Sequence, residues 1–336
     1  MKMKKLNNNV VAIIDSGINY EDTFFKPYIE GGISFIDKEK HHYLDENGHG
    51  SLCASTIIKE NPNVKLYVEK ILDKDNLSTL DVLEKSLIHL IDKKEISIIS
   101  MSLTLTSLSE EQRLKSICEK LYRQNKIIIC TLANGAIHSY PASYESTIGV
   151  QGFILEDENT FWFDKSNEIQ AVVDTNPYLL RDNCHQYRLF GNSNSYAAAK
   201  FAGMISKIID ESNIKNIGEL EDILSNVARR QKWGSGDLKA SKRFPEFMPN
   251  MEYSEDIIRE ITQIVKKYLG VKKIDHIYEH NLFDSHIGLN YKSAFGLLQK
   301  IEKEFDFHIE DYSSISRYDF YSIYTLAALI ERVKGS

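Results

Sequence analysis

The sequence lacks the features of a secreted or membrane-bound protein. No apolar run approaches the 18 residues expected of a membrane-spanning helix. The basic N-terminus is followed only by a short apolar run, residues 10–14, and by no small-residue cleavage site, so we predict no signal peptide. Four cysteines in 336 residues are too few for a disulfide framework, and we expect free thiols in a reducing compartment. These absences predict a cytoplasmic protein.

An excess of positive charge is missing as well. The chain has 48 acidic and 41 basic residues, for a net charge of −7, which argues against general binding to nucleic acids or anionic membranes. With 42% hydrophobic and 26% charged residues, the composition is that of a globular protein and excludes a wholly disordered or fibrous chain. At about 150 residues per domain, the length predicts two domains.

The first two thirds of the chain, residues 1–228, alternate short β-rich runs with helical stretches from residue 6 onward. Alternation of this kind implies crossover connections and a mostly parallel sheet, so the predicted fold class is α/β. The predicted strands include residues 10–14, 64–68, 96–103 and 127–132, and the predicted helices residues 81–93, 110–124 and 197–212.

The pattern changes after residue 228. Residues 229–252 are basic and contain glycine, serine and proline, which predicts a linker whose charges are solvated rather than bound to RNA or an acidic peptide. Residues 253–336 are purely helical in pattern. A first helix begins after Ser254 and ends at Gly270, and two more are predicted over residues 289–305 and 321–333. We therefore expect a small helical bundle.

Four short motifs place polar side chains where strands end or helices begin. The carboxyl edge of an α/β sheet is where ligands bind, so these positions are candidates for a site. Each motif alone has a common structural explanation, but the order Asp, His, Ser is one in which a serine-peptidase triad occurs. The motifs are Asp15-Ser16-Gly17, Gly48-His49-Gly50-Ser51, Ala133-Asn134-Gly135 and Ser193-Asn194-Ser195, the last followed by small residues up to Gly203.

Together the motifs resemble the subtilase family of serine peptidases over residues 6–228, with a subtilisin-like fold. In that family the nucleophile lies eight residues before the glycine that ends the serine motif. Counting back from Gly203 gives Ser195, whereas a register anchored on Ser193 leaves the downstream Ala-Gly two residues out of phase. The resemblance extends to Ser100-Met101-Ser102-Leu103, Tyr140-Pro141-Ala142 and Ile148-Gly149-Val150.

The resemblance implies a catalytic role for four residues. Ser195 attacks a peptide carbonyl and forms an acyl-enzyme, while His49 takes the hydroxyl proton and later gives it to the leaving amine. Asp15 holds the imidazole in the right tautomer and stabilises its cation. Asn134, with the backbone N–H of Ser195, donates to the oxyanion of the tetrahedral intermediate.

The resemblance also implies how a peptide binds. An extended substrate pairs with the strand that contains Ser102, Leu103 and Thr104. Thr104 and Ala133 stand where relatives usually have glycine, and their side chains narrow the first specificity pocket. We therefore expect a small residue before the scissile bond.

Departures from the family pattern concern the surroundings of the triad. Asn194 replaces the usual threonine before the nucleophile, and Ala199 the usual proline after it. The segment between His49 and residue 64 is too short for a calcium-binding loop, and we expect no folding pro-domain before the first strand.

Adjacent His41 and His42 do not suit one tetrahedral metal site. We predict no metal and no cofactor. Cys53, one helical turn after His49, is predicted to be a packing residue, with a thiol-sensitive position as the alternative.

The C-terminal helices resemble an acyl carrier protein domain, on the motifs Leu282-Phe283-Asp284 and Ile287-Gly288-Leu289-Asn290-Tyr291-Lys292. Carrier domains attach phosphopantetheine to a serine that follows an aspartate. Here Asn290 and Tyr291 occupy those positions, and Ser293 is two residues out of register. The resemblance implies a carrier-like bundle without its arm, which serves as a docking module for a modification enzyme or only as a stabilising appendage.

A subtilase fused to a carrier-like domain resembles the peptidases of peptide-maturation systems, which remove the leader from a modified ribosomal precursor. The first hypothesis is thus a cytoplasmic serine endopeptidase with a precursor peptide as substrate and no nucleic-acid or membrane partner. The alternatives are a peptide ligase or macrocyclase on the same triad, and a non-catalytic scaffold that docks partners through the bundle.

Overall fold

The computed structural model of the chain describes residues 10–104, 111–240, 243, 246–248, 254–271 and 277–335. They form two compact units. The first unit holds the described residues within Met1–Thr175, Asp182–His185 and Gly191–Lys242, and the second holds those within Asn176–Arg181, Gln186–Phe190 and Arg243–Ser336.

An eight-stranded sheet forms the centre of the first unit. Its strands are β1 (Val10–Asp15), β2 (Ile29–Ser34), β3 (Lys65–Lys70), β4 (Ile96–Met101), β5 (Ile127–Thr131), β6 (Ile148–Phe153), β7 (Phe161–Phe163) and β8 (Ala171–Asp174). They are ordered β2-β3-β1-β4-β5-β6-β8-β7, and all neighbours are parallel except β7 and β8. The predicted mostly parallel α/β sheet is confirmed.

Strand β1 lies at the point where the strand order reverses. After β1 the chain forms β2 and then β3 on one side of it, and it then crosses to the other side for β4 to β8. Every residue of β4 and all but the first of β1 are buried, as expected for parallel strands covered on both faces. Ligands of open α/β sheets bind at the carboxyl ends of the strands that flank such a reversal. In this chain β1 ends at Asp15, and β4 ends at Met101, directly before Ser102.

Helices of the first unit begin where their capping residues predict. The hydroxyls of Thr79 and Ser193 and the side-chain oxygen of Asn216 each accept a backbone N–H in the first turn that follows. Among the described residues, no helix combines the length and the apolar character needed to cross a membrane. The helices are α1 (His49–Glu60), α2 (Leu80–Ile91), α3 (Glu111–Arg123), α4 (Asn194–Glu211), α5 (Ile217–Val227) and α6 (Ser235–Ala240), with a 3-10 helix at Lys26–Tyr28.

Helices α1 and α4 pack at very short distance. A Cβ atom on Gly203 of α4 would lie 2.9 Å from the carbonyl oxygen of Ile57 in α1, so only glycine fits there. The side-chain amide of Asn61, which follows α1, donates to the hydroxyl of Ser206 in α4 at 2.8 Å. These contacts hold the C-terminal end of α1 against the middle of α4, and they explain the glycine at position 203.

A buried ion pair also anchors α4. The ammonium group of Lys200 is fully buried, 3.6 Å from Oδ2 of Asp174, and donates to the Asp174 carbonyl at 3.1 Å and to Oδ1 of Asn159 at 3.2 Å. Burial lowers the pKa of Lys200, and the negative charges of Glu60 and Asp174 only partly offset that effect. Asp174 is as completely buried as Lys200.

We predict that Lys200→Met lowers the free energy of unfolding by about 3–5 kcal/mol, because it leaves the Asp174 carboxylate buried without its cation. Urea denaturation measures the change. Lys207→Met, on the exposed face of the same helix, serves as the control and should stay within about 0.5 kcal/mol. Adding Asp174→Asn to Lys200→Met should recover part of the loss. A cost for Lys200→Met no larger than that of the control would contradict the pairing.

The segment predicted as a linker begins with ordered structure. Up to residue 240 it belongs to the first unit. The carbonyl of Arg230 accepts the N–H of Phe163 at 3.0 Å, and its guanidinium lies 4.5 Å from the ring centroid of Trp162 and pairs with Asp237 at 2.6 Å. The basic composition predicted that the charges of this segment are solvated. The guanidinium of Arg230 instead contacts the ring of Trp162 and the carboxylate of Asp237. Much of residues 241–252 lies outside the described residues.

The second unit joins a β-hairpin to the C-terminal helices. Its core is formed by apolar residues of both, including Leu179 and Leu189 of the hairpin. The sequence analysis placed the hairpin residues within the first domain, because apolar alternation does not tell which core a strand joins. The elements are β9 (Tyr178–Arg181), β10 (Tyr187–Phe190), α7 (Glu255–Leu269), α8 (Ala294–Phe305) and α9 (Ile323–Lys334), with 3-10 helices at Ile277–Glu279, Tyr312–Ser314 and Arg317–Phe320.

Helix α8 begins at Ala294, five residues later than predicted. Oδ1 of Asn290 accepts the N–H groups of Lys292 at 3.0 Å and Ser293 at 3.1 Å. This side-chain turn replaces the first turn of the predicted helix, since asparagine competes well for nearby backbone donors.

Candidate active site

The aspartate at the end of β1 and the first residue of α1 form a hydrogen-bonded pair. Nδ1 of His49 lies 2.8 Å from Oδ1 and 3.0 Å from Oδ2 of Asp15. Asp15 is completely buried, whereas the side chain of His49 remains about one-fifth exposed. With Nδ1 donating to the carboxylate, Nε2 is the ring nitrogen that can accept a proton.

The glycine after His49 permits this close approach. A Cβ atom on Gly50 would lie 2.1 Å from the carbonyl oxygen of Gly17, so α1 can start against the end of β1 only with glycine there. The N–H of Gly50 also donates to the hydroxyl of Ser16 at 3.0 Å. Ser16, the neighbour of Asp15, is thus hydrogen-bonded to Gly50, the neighbour of His49.

Asp45 was not predicted as a site residue, yet its carboxylate accepts hydrogen bonds from residues close to Asp15 and from residues close to His49. Its Oδ1 accepts the hydroxyl of Ser16 at 2.9 Å and the N–H of Gly48 at 2.7 Å, and its Oδ2 accepts the N–H of Ser51 at 2.8 Å. A carboxylate that satisfies N–H groups at a helix start stabilises that start. The acidic residue four positions before His49 was the sequence signal for it.

The environment of His49 determines its protonation. Burial alone lowers the pKa of the imidazole, but Asp15, through its charge and hydrogen bond, and Cys53 together outweigh burial and hold the pKa of His49 well above its usual value. The Cys53 sulfur lies 3.8 Å from Nδ1, and burial raises the pKa of that thiol. Cys53 is buried, in agreement with the predicted packing role, and its contact with His49 keeps the thiol-sensitive alternative open.

The two serines at the start of α4 have different surroundings. Ser193 caps the helix, and its hydroxyl accepts the N–H of Tyr196 at 3.2 Å. Ser195 lies in the first turn, where its Oγ is 3.5 Å from the carbonyl oxygen of Ser102 and its own carbonyl accepts the Ser102 hydroxyl at 3.3 Å. Of the two, Ser195 is the one that shares a cleft with His49.

That cleft has a volume of about 370 Å³ and combines the polar residues with an apolar wall. The three residues predicted to bind substrate, Ser102, Leu103 and Thr104, line it beside His49 and Ser195. They follow β4, which ends at Met101, two residues before the end of the predicted strand. The full lining is His49, Ile71, Leu72, Asn76, Leu77, Ser78, Thr79, Leu83, Ser102, Leu103, Thr104 and Ser195. The cleft thus presents a hydroxyl and an imidazole beside the partly buried segment that follows β4.

The remaining predicted residues, Ala133 and Asn134, lie in the turn after β5 and are not part of this lining. The N–H of Ala133 donates to the hydroxyl of Ser139 at 3.0 Å, and its carbonyl accepts the N–H of Ala136 at 3.1 Å. Asn134 is exposed. The structure thus brings Asp15, His49 and the Ser195 region together, and places the predicted oxyanion donor on a separate turn.

Asn194, which departs from the family's usual threonine, connects α4 to that turn. Its Nδ2 donates to the carbonyl of Leu132 at 2.7 Å, and its Oδ1 accepts the N–H of Gly152 at 2.7 Å. One side chain therefore fixes the start of α4 against the ends of β5 and β6. From the sequence alone, Asn194 was recognised only as a departure from the family pattern outside the triad.

His41 and His42 do not belong to any of the described groups of three potential metal ligands. Nδ1 of His42 is 3.9 Å from a carboxylate oxygen of Asp37, and both side chains are partly exposed. This is the loop environment that the sequence analysis favoured over a metal site.

Comparisons with known proteins agree with the fold and the motifs. No curated protein matches the sequence. A cold adapted subtilisin-like serine proteinase aligns in structure with a TM-score of 0.56 at 16% identity, over 71% of this chain and 89% of the other. A lanthipeptide protease gives a TM-score of 0.58 at 17% identity (68% and 82%), and sphericase gives 0.56 at 17% (66% and 83%). These likenesses show a subtilisin-like fold.

The family itself is shown by the sequence. The subtilase family matches residues 7–245, which is well over half of the chain and includes the four motifs around Asp15, His49, Asn134 and Ser195. The chain therefore belongs to the subtilase family of serine peptidases.

Proposed function

We propose that the chain is a serine endopeptidase that cleaves a precursor peptide through an acyl-enzyme on Ser195. The observation that carries this proposal is the Asp15–His49 hydrogen bond at the edge of a cleft that Ser195 also lines. A buried carboxylate, an oriented imidazole and a hydroxyl at a helix start are the components that nucleophilic acyl transfer requires.

In the proposed reaction, Oγ of Ser195 attacks the peptide carbonyl while Nε2 of His49 takes the hydroxyl proton. The tetrahedral intermediate collapses when the imidazolium donates that proton to the leaving amine. Water then attacks the acyl carbon while His49 takes its proton, and the imidazolium returns that proton to Oγ of Ser195 as the ester bond breaks and the acid product leaves. Asp15 favours both steps because its charge stabilises the imidazolium that forms in each.

We assign Asn134 to the oxyanion site, together with the Ser195 N–H. Asn134→Ala is expected to lower kcat by about 10²–10³ with little change in KM, because the hydrogen bond strengthens only in the transition state. Steady-state kinetics on one peptide measures both. His138→Ala, an exposed neighbour that pairs with Glu168, should leave kcat unchanged. Equal kcat values in the two variants would remove Asn134 from the mechanism.

A precursor peptide is the proposed substrate, and leader removal in a cytoplasmic peptide-maturation system is the proposed role. A solved relative in fold is a lanthipeptide protease, which fits this role. Leu72, Leu77 and Leu83 give the cleft an apolar wall suited to side chains upstream of the cut. A small residue directly before the scissile bond is proposed, since Thr104 occupies the cleft where relatives have no side chain.

The test is a panel of peptides that differ only at the residue before the cut, analysed by mass. Endopeptidase activity predicts two fragments whose masses sum to the substrate plus one water, with Ala preferred over Phe. Steric overlap of a large ring should cost about 1–3 kcal/mol, or roughly 5- to 150-fold in kcat/KM. Cyclised or joined products would favour the ligase alternative. No product and no fluorophosphonate label would favour the scaffold.

We further propose that the C-terminal helices are a carrier-like bundle without an arm, which docks a modification enzyme. Asn290 and Tyr291 stand where a carrier has Asp and the attachment Ser. The hydroxyl of Ser293 is engaged locally, since it accepts the N–H of Asn290 at 3.0 Å and donates to its carbonyl at 3.2 Å. These contacts support a bundle that takes no phosphopantetheine.

Incubation with a phosphopantetheinyl transferase and coenzyme A is therefore expected to give no mass increase. Asn290→Asp combined with Tyr291→Ser restores the attachment pair and should gain one adduct if the bundle is carrier-like. Intact mass spectrometry reads both results. An adduct mapped to Ser293 in the unaltered chain would overturn the first expectation, and an unmodified double variant would overturn the carrier-like assignment.

A further inference from the structure

Two histidines and an aspartate come together in the second unit, on the segment before α8. His280, Asp284 and His286 each offer one ligand atom, and these atoms all lie within 4.8 Å of one another. The two imidazole rings meet edge to face, with centroids 4.9 Å apart. His280 and Asp284 are partly buried, and His286 is exposed. Within the described part of the chain, none of the three side chains makes a hydrogen bond or ion pair that would compete for these atoms.

The backbone that carries the three side chains is fixed. The carbonyl of Asp284 accepts the N–H groups of Ile287 and Gly288, both at 2.9 Å. Leu282 donates its N–H to the carbonyl of Tyr321 at 2.9 Å and accepts the N–H of Leu289 at 3.1 Å. The segment therefore forms a closed turn that is hydrogen-bonded to the rest of the second unit.

Buried side chains hold the same turn from within. Ile277, Leu282, Ile287 and Leu289 alternate with the three polar residues and are at most 3% exposed, all in one hydrophobic core. Because the backbone of this turn is already held in place, it loses little conformational freedom when the three side chains bind an ion. Only side-chain rotations are needed to shorten the separations to those of a coordination sphere.

We propose that His280, Asp284 and His286 bind a zinc-type divalent transition ion. Two imidazole nitrogens and one carboxylate oxygen suit Zn²⁺ or Co²⁺, whereas Ca²⁺ and Mg²⁺ prefer oxygen ligands throughout. Three protein ligands leave a fourth tetrahedral position for water. This site lies within the second unit and is independent of the proposed peptidase mechanism. The proposal departs from the prediction that the chain binds no metal, which rested on the adjacent pair His41 and His42.

The test is isothermal titration of the full chain with Zn²⁺, without a histidine tag. A second described group, Asp15, His49 and Cys53, also meets the spacing for a metal site. The titration therefore uses a Ser195→Ala, Cys53→Ser background, which removes that thiol and any self-cleavage. One equivalent of Zn²⁺ is expected to bind. Co²⁺ should bind at the same stoichiometry and give the visible absorption of a low-coordinate complex.

His280→Ala and His286→Ala should each weaken Zn²⁺ binding at least tenfold, since even the loss of a group that only supports a ligand costs about 10–100-fold. His308→Ala, an exposed histidine of the same unit beside Glu302, is the matched control and should change nothing. Circular dichroism of the zinc-free variants checks their folding, and the milder Asp284→Asn provides an independent variant. Absence of binding in the background chain, or unchanged affinity in both histidine variants, would overturn the proposal.

Discussion

Ser195→Ala is expected to abolish peptide hydrolysis, with kcat reduced by a factor on the order of 10⁶, as for the loss of the nucleophile in other serine peptidases. No other described hydroxyl shares both the cleft with His49 and the first turn of α4. Without Oγ no acyl-enzyme can form, and fluorophosphonate should add no mass. Hydrolysis rates and intact mass of the labelled protein measure the two effects separately.

Ser193→Ala is the matched control because it removes a hydroxyl only two residues away. That hydroxyl caps α4 through the N–H of Tyr196, so its loss should cost about 1 kcal/mol of stability and leave most of kcat and labelling intact. The two variants distinguish the two possible registers of the serine motif. If Ser193→Ala eliminated labelling and Ser195→Ala did not, the nucleophile would be Ser193.

Much of the first unit followed from local patterns in the sequence. The strands at β1 and β4 were predictable because parallel strands covered on both faces are continuous apolar runs. Helices α2 and α4 start after a hydroxyl residue that can cap them. The assignment of Asp15, His49 and Ser195 came from the resemblance to the subtilase motifs, and the strand end at Asp15 and the helix starts at His49 and Ser195 agree with it.

What the sequence did not reveal depends on contacts between distant residues. Asp45 organises the ends of β1 and α1 through three neighbours, and no periodicity indicates such a network. Asn194 looked like a mere departure because its partners, Leu132 and Gly152, are remote in sequence. Likewise, the residue pattern of the hairpin of β9 and β10 resembles that of any other pair of strands. Only the packing of Leu179 shows that the hairpin belongs to the second unit.

The hydrogen bond between Asp15 and His49 has a direct consequence for the pH dependence of the reaction. The general base must be neutral, and the pKa of His49 is held well above its usual value of about 6.5 because Asp15, together with Cys53, outweighs the effect of burial. As the pH rises through this pKa, the imidazole loses its proton and becomes competent. The acid limb of kcat/KM should therefore have its midpoint above 6.5, which a pH–rate profile on one peptide measures.

Asp15→Asn is expected to lower kcat by about 10⁴ while the fold is retained, because an amide can donate to Nδ1 and so favours the tautomer with the proton on Nε2, where it cannot accept from Ser195. The same change removes the charge that raises the pKa of His49. Without that charge the pKa falls, so the midpoint of the residual activity should shift to lower pH. Glu168→Gln removes an equal charge beside the exposed His138 and should move neither kcat nor the midpoint. A variant profile that coincides with that of the unaltered enzyme would show that Asp15 does not control the protonation of His49. A large loss of kcat with the expected acid shift would assign both the tautomer and the charge of the general base to this one carboxylate.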